Sequence, residues 1–418
     1  MSGEQRLRIL HIVQGYPPAI GGTEKAIAEL SRRLVRDHGD RVSVFTSDAL
    51  SAEAFVRPDL PRLATGTHLD AGVEVRRFRS FRAAGSVLAQ MQRVAWGLRL
   101  PGNEALRTFF QGPILPGLAR AIREHNADIV VASSFPLLHM YTALDSAKAS
   151  GKACVLLGAL HPDDHWGFDR SRIYRAIRAA DRYIAYTDYE RQHVIANGAA
   201  PERTETIGLG VDLERFAAAD GSRIRGELGL KKETPLIGFL GQLAPHKGVD
   251  LLLRALPQLW EKHPEVHCLI AGATTSFQPE IDRLSAALPF ERQAQLHSRP
   301  DFAESAKPDL FAAIDILAYP SRFESFGLAY LEAWAAGKPV IGCSIPAVED
   351  VVEDGRTGLL IPPGDCAALV AGLATLLRSA EMRRTFGAAG RAQVEERHSW
   401  AAVTQRFRQA YQRAASSG

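Results

Sequence analysis

Twice along its length the chain alternates short, mostly apolar runs with longer helix-patterned segments. The first series has apolar runs at residues 9–13, 42–46, 129–132, 154–157 and 183–186; the second has them at 236–240, 267–271, 316–319 and 340–343. Short runs without polar alternation read as strands buried on both faces, and helices between them are the crossovers that a parallel sheet requires. At 418 residues the chain is also too long for one ordinary hydrophobic core. The expected fold class is α/β, with two domains built on parallel sheets.

The break between the two series falls in a polar stretch carrying Gly221, Gly226 and Gly229. It sets a first domain at 1–212, a linker at 213–234 and a second domain at 235–398. A last helical pattern occupies the terminal segment 399–418. Hydrophobic residues at 46% and charged residues at 23% are ordinary for a globular protein. A formal charge of +3 gives no global case for a nucleic-acid partner. Cys154, Cys268, Cys343 and Cys366 are widely spaced, without a C-x-x-C pair, which suggests neither a zinc site nor a disulfide framework. No basic-then-apolar leader opens the sequence, and the longest uncharged stretch, 129–144, includes Pro136 and His139 and falls short of a membrane span. The expectation is a cytoplasmic protein, peripheral at most on the inner face of a membrane.

The most informative stretch is 320–364, which begins PSRFESFGLAYLEAWAAGKP. Pro320 and Ser321 end an apolar run, and helix-forming composition sets in at Gly327, so Glu324 lies in a loop and Glu332 within a helix. The N–H groups around Ser325, Phe326, Gly327 and Leu328 are then the unpaired donors of a helix N-terminus, suited to a phosphate. A carboxylate would repel that phosphate, so Glu324 faces hydroxyls or developing positive charge. Glu332, about 12 Å further along the axis at ~1.5 Å per residue, suits a diol such as a ribose.

This string resembles the E-x7-E segment of the group 1 retaining glycosyltransferases, whose members have the GT-B fold: two Rossmann-like domains with parallel sheets facing across a cleft. The resemblance implies that Glu324 is the carboxylate beside the donor sugar and its phosphates, and that Glu332 is the ribose ligand. It also implies that the terminal helix crosses back to the first domain.

Other segments extend the resemblance. The loop 14–24 carries Gly21 and Gly22 ahead of a helix expected at about 25–35, where backbone approaches a ligand closely; it resembles the family's Gly-Gly loop, which closes on the donor diphosphate. His161 ends an apolar strand at the edge where α/β sheets bind ligands, and it matches the family histidine that contacts the donor sugar. A zinc reading of His161 with His165 is opposed by Pro162, which disfavours a shared helix face. The second domain opens LIGFLGQLAPHKG, where relatives carry an arginine at Gln242 and a lysine at Lys247, both directed at the donor phosphates. Gln242 keeps hydrogen-bonding capacity without charge. Arg299 and Arg322 are the candidates to replace the missing cation.

The segment 76–110 stands apart. Arg76, Arg77, Arg79, Arg82, Arg93, Arg99 and Arg107 face only Glu104 as counter-charge, and Val87, Leu88, Met91, Val94, Ala95 and Leu98 share one helix face. That face either meets anionic lipid or packs into the first domain's own core.

Together these features imply a retaining glycosyltransferase that moves a sugar from a nucleotide-diphosphate donor held between the domains. Glu324, His161 and Lys247 are the expected catalytic residues. Gly21, Gly22, Gln242, Arg299, Ser325, Phe326, Gly327, Leu328 and Glu332 are the expected donor contacts. No metal or other cofactor is expected, and a lipid-linked or polysaccharide acceptor is favoured. The rival readings are a non-catalytic nucleotide-sugar-binding subunit and a GT-B epimerase or phosphorylase.

Overall fold

The computed structural model describes residues 6–19, 21–55, 60–81 and 86–416. Two compact units result, one of Met1–Gly208 with Val403–Gly418 and the other of Leu209–Ala402. Arg82 and Ile20, named with the basic segment and the Gly-Gly loop, lie outside the described residues.

In the first unit, among the described residues, the strands are β1 (Arg8–Ile12), β2 (Arg41–Ser47), β3 (Gly66–Asp70), β4 (Val73–Phe78), β5 (Ile129–Ser133), β6 (Ala153–Leu157), β7 (Arg182–Ala185) and β8 (Thr204–Thr206). They form one sheet in the order β3-β4-β2-β1-β5-β6-β7-β8. The pairing is parallel except at the edge, where β3 runs antiparallel to β4. Central β5 and β6, with the sequences IVVAS and ACVLL, are buried at every position. In β4 exposed Glu74 and Arg76 alternate with buried Val73 and Val75, which is why no apolar run marks it.

The terminal helix Trp400–Ala415 belongs to this unit from Val403 onward. Its Val403, Phe407, Ala410, Tyr411 and Ala414 are buried. Buried polar contacts help to fix it. Arg408 Nε donates to Asp40 Oδ2 at 2.9 Å, with the side chains only 1% and 0% exposed. His11 lies 2.7 Å from Ser31 Oγ through Nδ1 and 3.3 Å from Tyr411 Oη through Nε2. Because the Ser31 hydroxyl donates to Ile27 O, the proton sits on His11 Nδ1, and Nε2 accepts from Tyr411.

Among the described residues of the second unit the strands are β9 (Leu236–Leu240), β10 (His267–Gly272), β11 (Leu296–Pro300), β12 (Ile316–Ala318), β13 (Val340–Cys343) and β14 (Gly358–Ile361). All pair in parallel, in the order β11-β10-β9-β12-β13-β14. Each unit thus has the Rossmann-like form of a parallel sheet joined through helices.

The expected linker at 213–234 is instead structured. It holds the helices Leu213–Ala217 and Gly221–Glu227. Phe216 meets Phe311 with ring centroids 5.9 Å apart, and Arg225 donates to Ala313 O at 2.7 Å and to Asp315 at 2.8 Å. Two of the three glycines named there have structural reasons: a Cβ on Gly221 would lie 2.4 Å from Ala313 N, and Gly229 follows its helix with φ +69°. The division between the units falls at Gly208/Leu209 and again at Ala402/Val403. Near both, Val211 N donates to His398 O at 2.8 Å.

Candidate functional site

The second sheet reverses direction at β9. β10 and β11 are added on one side of it, and β12 and β13 on the other. Ligands of open α/β sheets bind beyond the carboxyl ends of the strands at such a switch point. Here the two flanking loops are 241–248, after β9, and 319–327, after β12. They touch closely: a Cβ on Gly248, which has φ +78°, would lie 2.1 Å from Pro320 O. Ser321 Oγ donates to His246 O at 3.1 Å, and Arg322 N donates to the same oxygen at 2.7 Å.

These contacts bring Lys247 to Glu324. Nζ lies 2.7 Å from Oε1, with the side chains 17% and 7% exposed. The ammonium also sits 5.8 Å from the centre of the Tyr319 ring. Burial, with the charges of Glu324 and Glu332 behind it, holds the Tyr319 phenol well above its ordinary pKa. One of the three N–H donors of Lys247 goes to Glu324, and an ammonium so placed has two more to direct at an anion.

Gly327, with φ +91°, turns the chain into the helix Leu328–Ala335. Tyr330 N donates to Gly327 O at 3.0 Å, so the N–H groups of Leu328 and Ala329 are end donors of the helix. Ser325 precedes them, and Phe326 is buried against the His398 ring, 5.5 Å between centroids. Glu332 accepts from Lys307 Nζ at 2.7 Å, and Lys307 also pairs with Glu304 at 3.1 Å. Burial pulls the Lys307 pKa down, but the two carboxylates outweigh it and the value stands above the ordinary one.

The candidates for the missing cation are engaged elsewhere. Arg322 is fork-bonded to Asp250 at 3.2 and 3.0 Å and donates to Pro245 O at 2.8 Å, so it staples the two loops together. Arg299 pairs with Glu227 at 2.9 Å. Gln242 is exposed just beyond β9.

In the first unit the sheet reverses at β1, with β2 on one side and β5 on the other. The loop after β1 leads to the helix Gly22–His38, longer at both ends than expected. Glu24 folds back over this turn. Its Oε1 accepts from Gln14 Nε2 at 2.9 Å, and a Cβ on Gly21 would lie 2.0 Å from Oε2. Burial pushes the Glu24 carboxyl up, with its own N–H and Gln14 opposing. A carboxylate of the protein therefore already serves this helix end, while a Cβ on Gly22 would meet nothing within 4 Å.

His161 follows β6 on a loop held by buried Glu190, which accepts from Leu160 N at 3.0 Å, Tyr186 N at 2.9 Å and Tyr183 Oη at 2.6 Å. The His161 ring meets Phe168 edge-on, with centroids 5.2 Å apart.

Residues 220–393 match the family model described as glycosyl transferases group 1, and residues 20–215 match that of glycosyltransferase family 4. D-inositol 3-phosphate glycosyltransferase 2 of Catenulispora acidiphila is 33% identical over 376 residues, covering 84% of this chain and 82% of the relative. The chain belongs to the group 1 glycosyl transferases. The D-inositol 3-phosphate glycosyltransferase of Streptomyces scabiei is 30% identical over 395 residues, covering 90% and 82%. Among solved structures, sucrose-phosphate synthase from Thermosynechococcus elongatus superposes with a TM-score of 0.75 at 17% identity, covering 98% of this chain and all of that one (100%). Anabaena HepE in complex with UDP and glucose gives 0.70 at 20% identity, covering 97% and 99%. The group 1 chain thus has the GT-B class of fold.

In this glycosyl transferase, sequence reasoning missed the side chains that support the expected ones. Asp250 opens the helix after Lys247, and Lys307 opens a helix before β12. Each meets its partner from 72 and 25 residues away, respectively. A lone aspartate and a lone lysine at helix starts carry no signal of such pairing. Glu24 and Glu190, which brace loops of the first unit, are likewise acidic residues in first helical turns and are no better marked than Asp250.

Proposed function

We propose that this chain is a retaining glycosyltransferase that transfers a sugar from a nucleoside-diphosphate donor to an acceptor hydroxyl. The observation that carries the reading is the Lys247–Glu324 pair, set at the switch point of a parallel sheet just ahead of the helix Leu328–Ala335. As the bond from the anomeric carbon to the diphosphate breaks, negative charge grows on the leaving oxygen and positive charge on the sugar ring. Lys247 and the end N–H groups of the helix answer the first, with no metal assigned. The Glu324 carboxylate answers the second. Glu332 takes the ribose hydroxyls.

Retention follows if the acceptor oxygen bonds to the anomeric carbon on the face that the diphosphate leaves. The acceptor proton passes to the departing phosphate oxygen, so the step needs no protein base and none is named. The UDP complexes of HepE support a uridine nucleotide in the donor. The names of the curated relatives support inositol 3-phosphate as the acceptor to try first, ahead of lipid-linked or polysaccharide acceptors.

The test is to incubate UDP-sugars with candidate acceptors and read the product's anomeric configuration by NMR. Retained configuration is expected, with Glu324→Gln slowing transfer about 100-fold. An inverted product, an epimerised sugar formed without acceptor, or nucleotide binding with no turnover would each overturn the reading.

A further inference from the structure

The helix Ser86–Gly97 in the first unit turns its large apolar residues outward. Val87, Met91, Val94 and Leu98 are 66%, 53%, 56% and 67% exposed. Their spacing of four, three and four residues places them on one stripe. Gln92 and Ala95 are buried instead, and Gln92 Nε2 donates to Ala89 O at 3.2 Å within the helix. A helix whose apolar face completed the unit's own core would show the opposite arrangement. Phe81, Leu100 and Phe109, in the same segment, are also exposed.

Among the described residues of 76–110, every exposed charged side chain is an arginine. Arg79, Arg93 and Arg99 are exposed, and the Arg79 guanidinium lies 5.7 Å from the centre of the exposed Phe81 ring. Other arginines of the segment serve the fold: Arg77 donates to Pro17 O at 2.6 Å, and buried Arg107 bonds Trp166 O and Asn103. Glu104, the one acidic residue of 76–110, is taken up by Ser171 and the backbone N–H of Arg172.

We propose that this face docks on an anionic lipid bilayer. The helix would lie in the interfacial plane with Val87, Met91, Val94 and Leu98 among the upper acyl chains and the arginines reaching lipid phosphates. A second copy of the chain fits less well, because a self-complementary contact brings the two arginine rims together. Among the described residues no helix is long and apolar enough to cross a membrane, so contact through these residues is peripheral.

The test is co-sedimentation of the full chain with phosphatidylcholine vesicles, with and without phosphatidylglycerol, at low and high salt. Pelleting with phosphatidylglycerol at low salt is expected. It should be abolished by Met91→Asp with Val94→Asp, and weakened about fivefold by each of Arg93→Glu and Arg99→Glu. A melting curve unchanged from wild type certifies the double variant; otherwise Val87→Ser with Leu98→Ser replaces it. Three results would overturn the proposal: no pelleting of wild type with anionic vesicles, pelleting unaffected by the apolar substitutions, or a dimer in light scattering that those substitutions dissociate. The assay uses no nucleotide, so its outcome is separate from that of the transfer assay.

Discussion

Lys247 Nζ lies 2.7 Å from Glu324 Oε1, although 77 residues separate the two in the chain. The pair joins the loop after β9 to the loop after β12, the two strands that flank the reversal of the second sheet. It sets a cation that can hold a diphosphate beside an anion that can face a ring-carbon cation.

Arg322 and Asp250 hold that pair in place, so their loss should be felt in transfer more than in folding. Arg322→Ala is expected to lower kcat/KM at least tenfold while costing about 1–2 kcal/mol of stability, as both groups are partly solvated. A double-mutant cycle with Asp250→Ala checks this. Additive losses in activity would mean that the two do not act as a unit.

Glu332 is the group assigned to the ribose, with Lys307 fixing its carboxylate. Replacing Glu332 by Gln should narrow the affinity gap between UDP and 2′,3′-dideoxy-UDP to about threefold or less, since a hydrogen bond to a charged group contributes about 1.5–3 kcal/mol. Calorimetry with the two nucleotides reads the gap directly. A gap that the substitution leaves unchanged removes Glu332 from ribose recognition.

The Arg408–Asp40 pair is buried completely. Arg408→Met leaves the Asp40 charge without its partner and should cost about 3–5 kcal/mol. Adding Asp40→Asn should recover most of this, because an amide oxygen still accepts the Leu7 N–H that now reaches Asp40 Oδ1 at 3.0 Å. Urea unfolding of the single and double variants measures both effects.

Acid should destabilise the first unit through two buried histidines. Burial lowers the His11 pKa from 6.5 to about 3 and that of His139 to about 4. The unfolded chain therefore binds more protons than the folded one between pH 6.5 and those values, so the stability present above pH 6.5 is lost as pH falls. At pH 5 each histidine accounts for a loss of about 2 kcal/mol. Urea midpoints at pH 7 and pH 5 test it; His11→Gln should remove about half of the difference, and equal wild-type midpoints would refute it.

The strands that were legible in the sequence are those buried on both faces, such as β5, β6 and β9, where the apolar run is unbroken. The half-buried β4 and the edge strand β11, with the sequence LHSRP, were not strongly marked, because one face of each carries polar groups. The glycine-rich stretch 221–229 read as a linker because composition does not distinguish a glycine that bends from one that lets a helix approach another backbone. The local motif places Glu324 ahead of a helix and Glu332 within it, as the structure does. It says nothing of Asp250 or Lys307, whose pairing depends on how distant strands are ordered in the sheet. The exposure of Met91 and Val94 was equally illegible, since an apolar helix face has the same pattern whether or not the fold covers it.

The central claim is that the switch point of the second sheet binds a nucleoside diphosphate through Lys247. Calorimetric titration of wild type and Lys247→Ala with UDP, GDP, ADP and dTDP tests it most directly. Wild type should bind one nucleotide, with UDP favoured, and the substitution should weaken binding about 10–100-fold, the scale of a charged hydrogen bond. Equal affinity in the two proteins, or no binding of any nucleotide by wild type, would contradict the account.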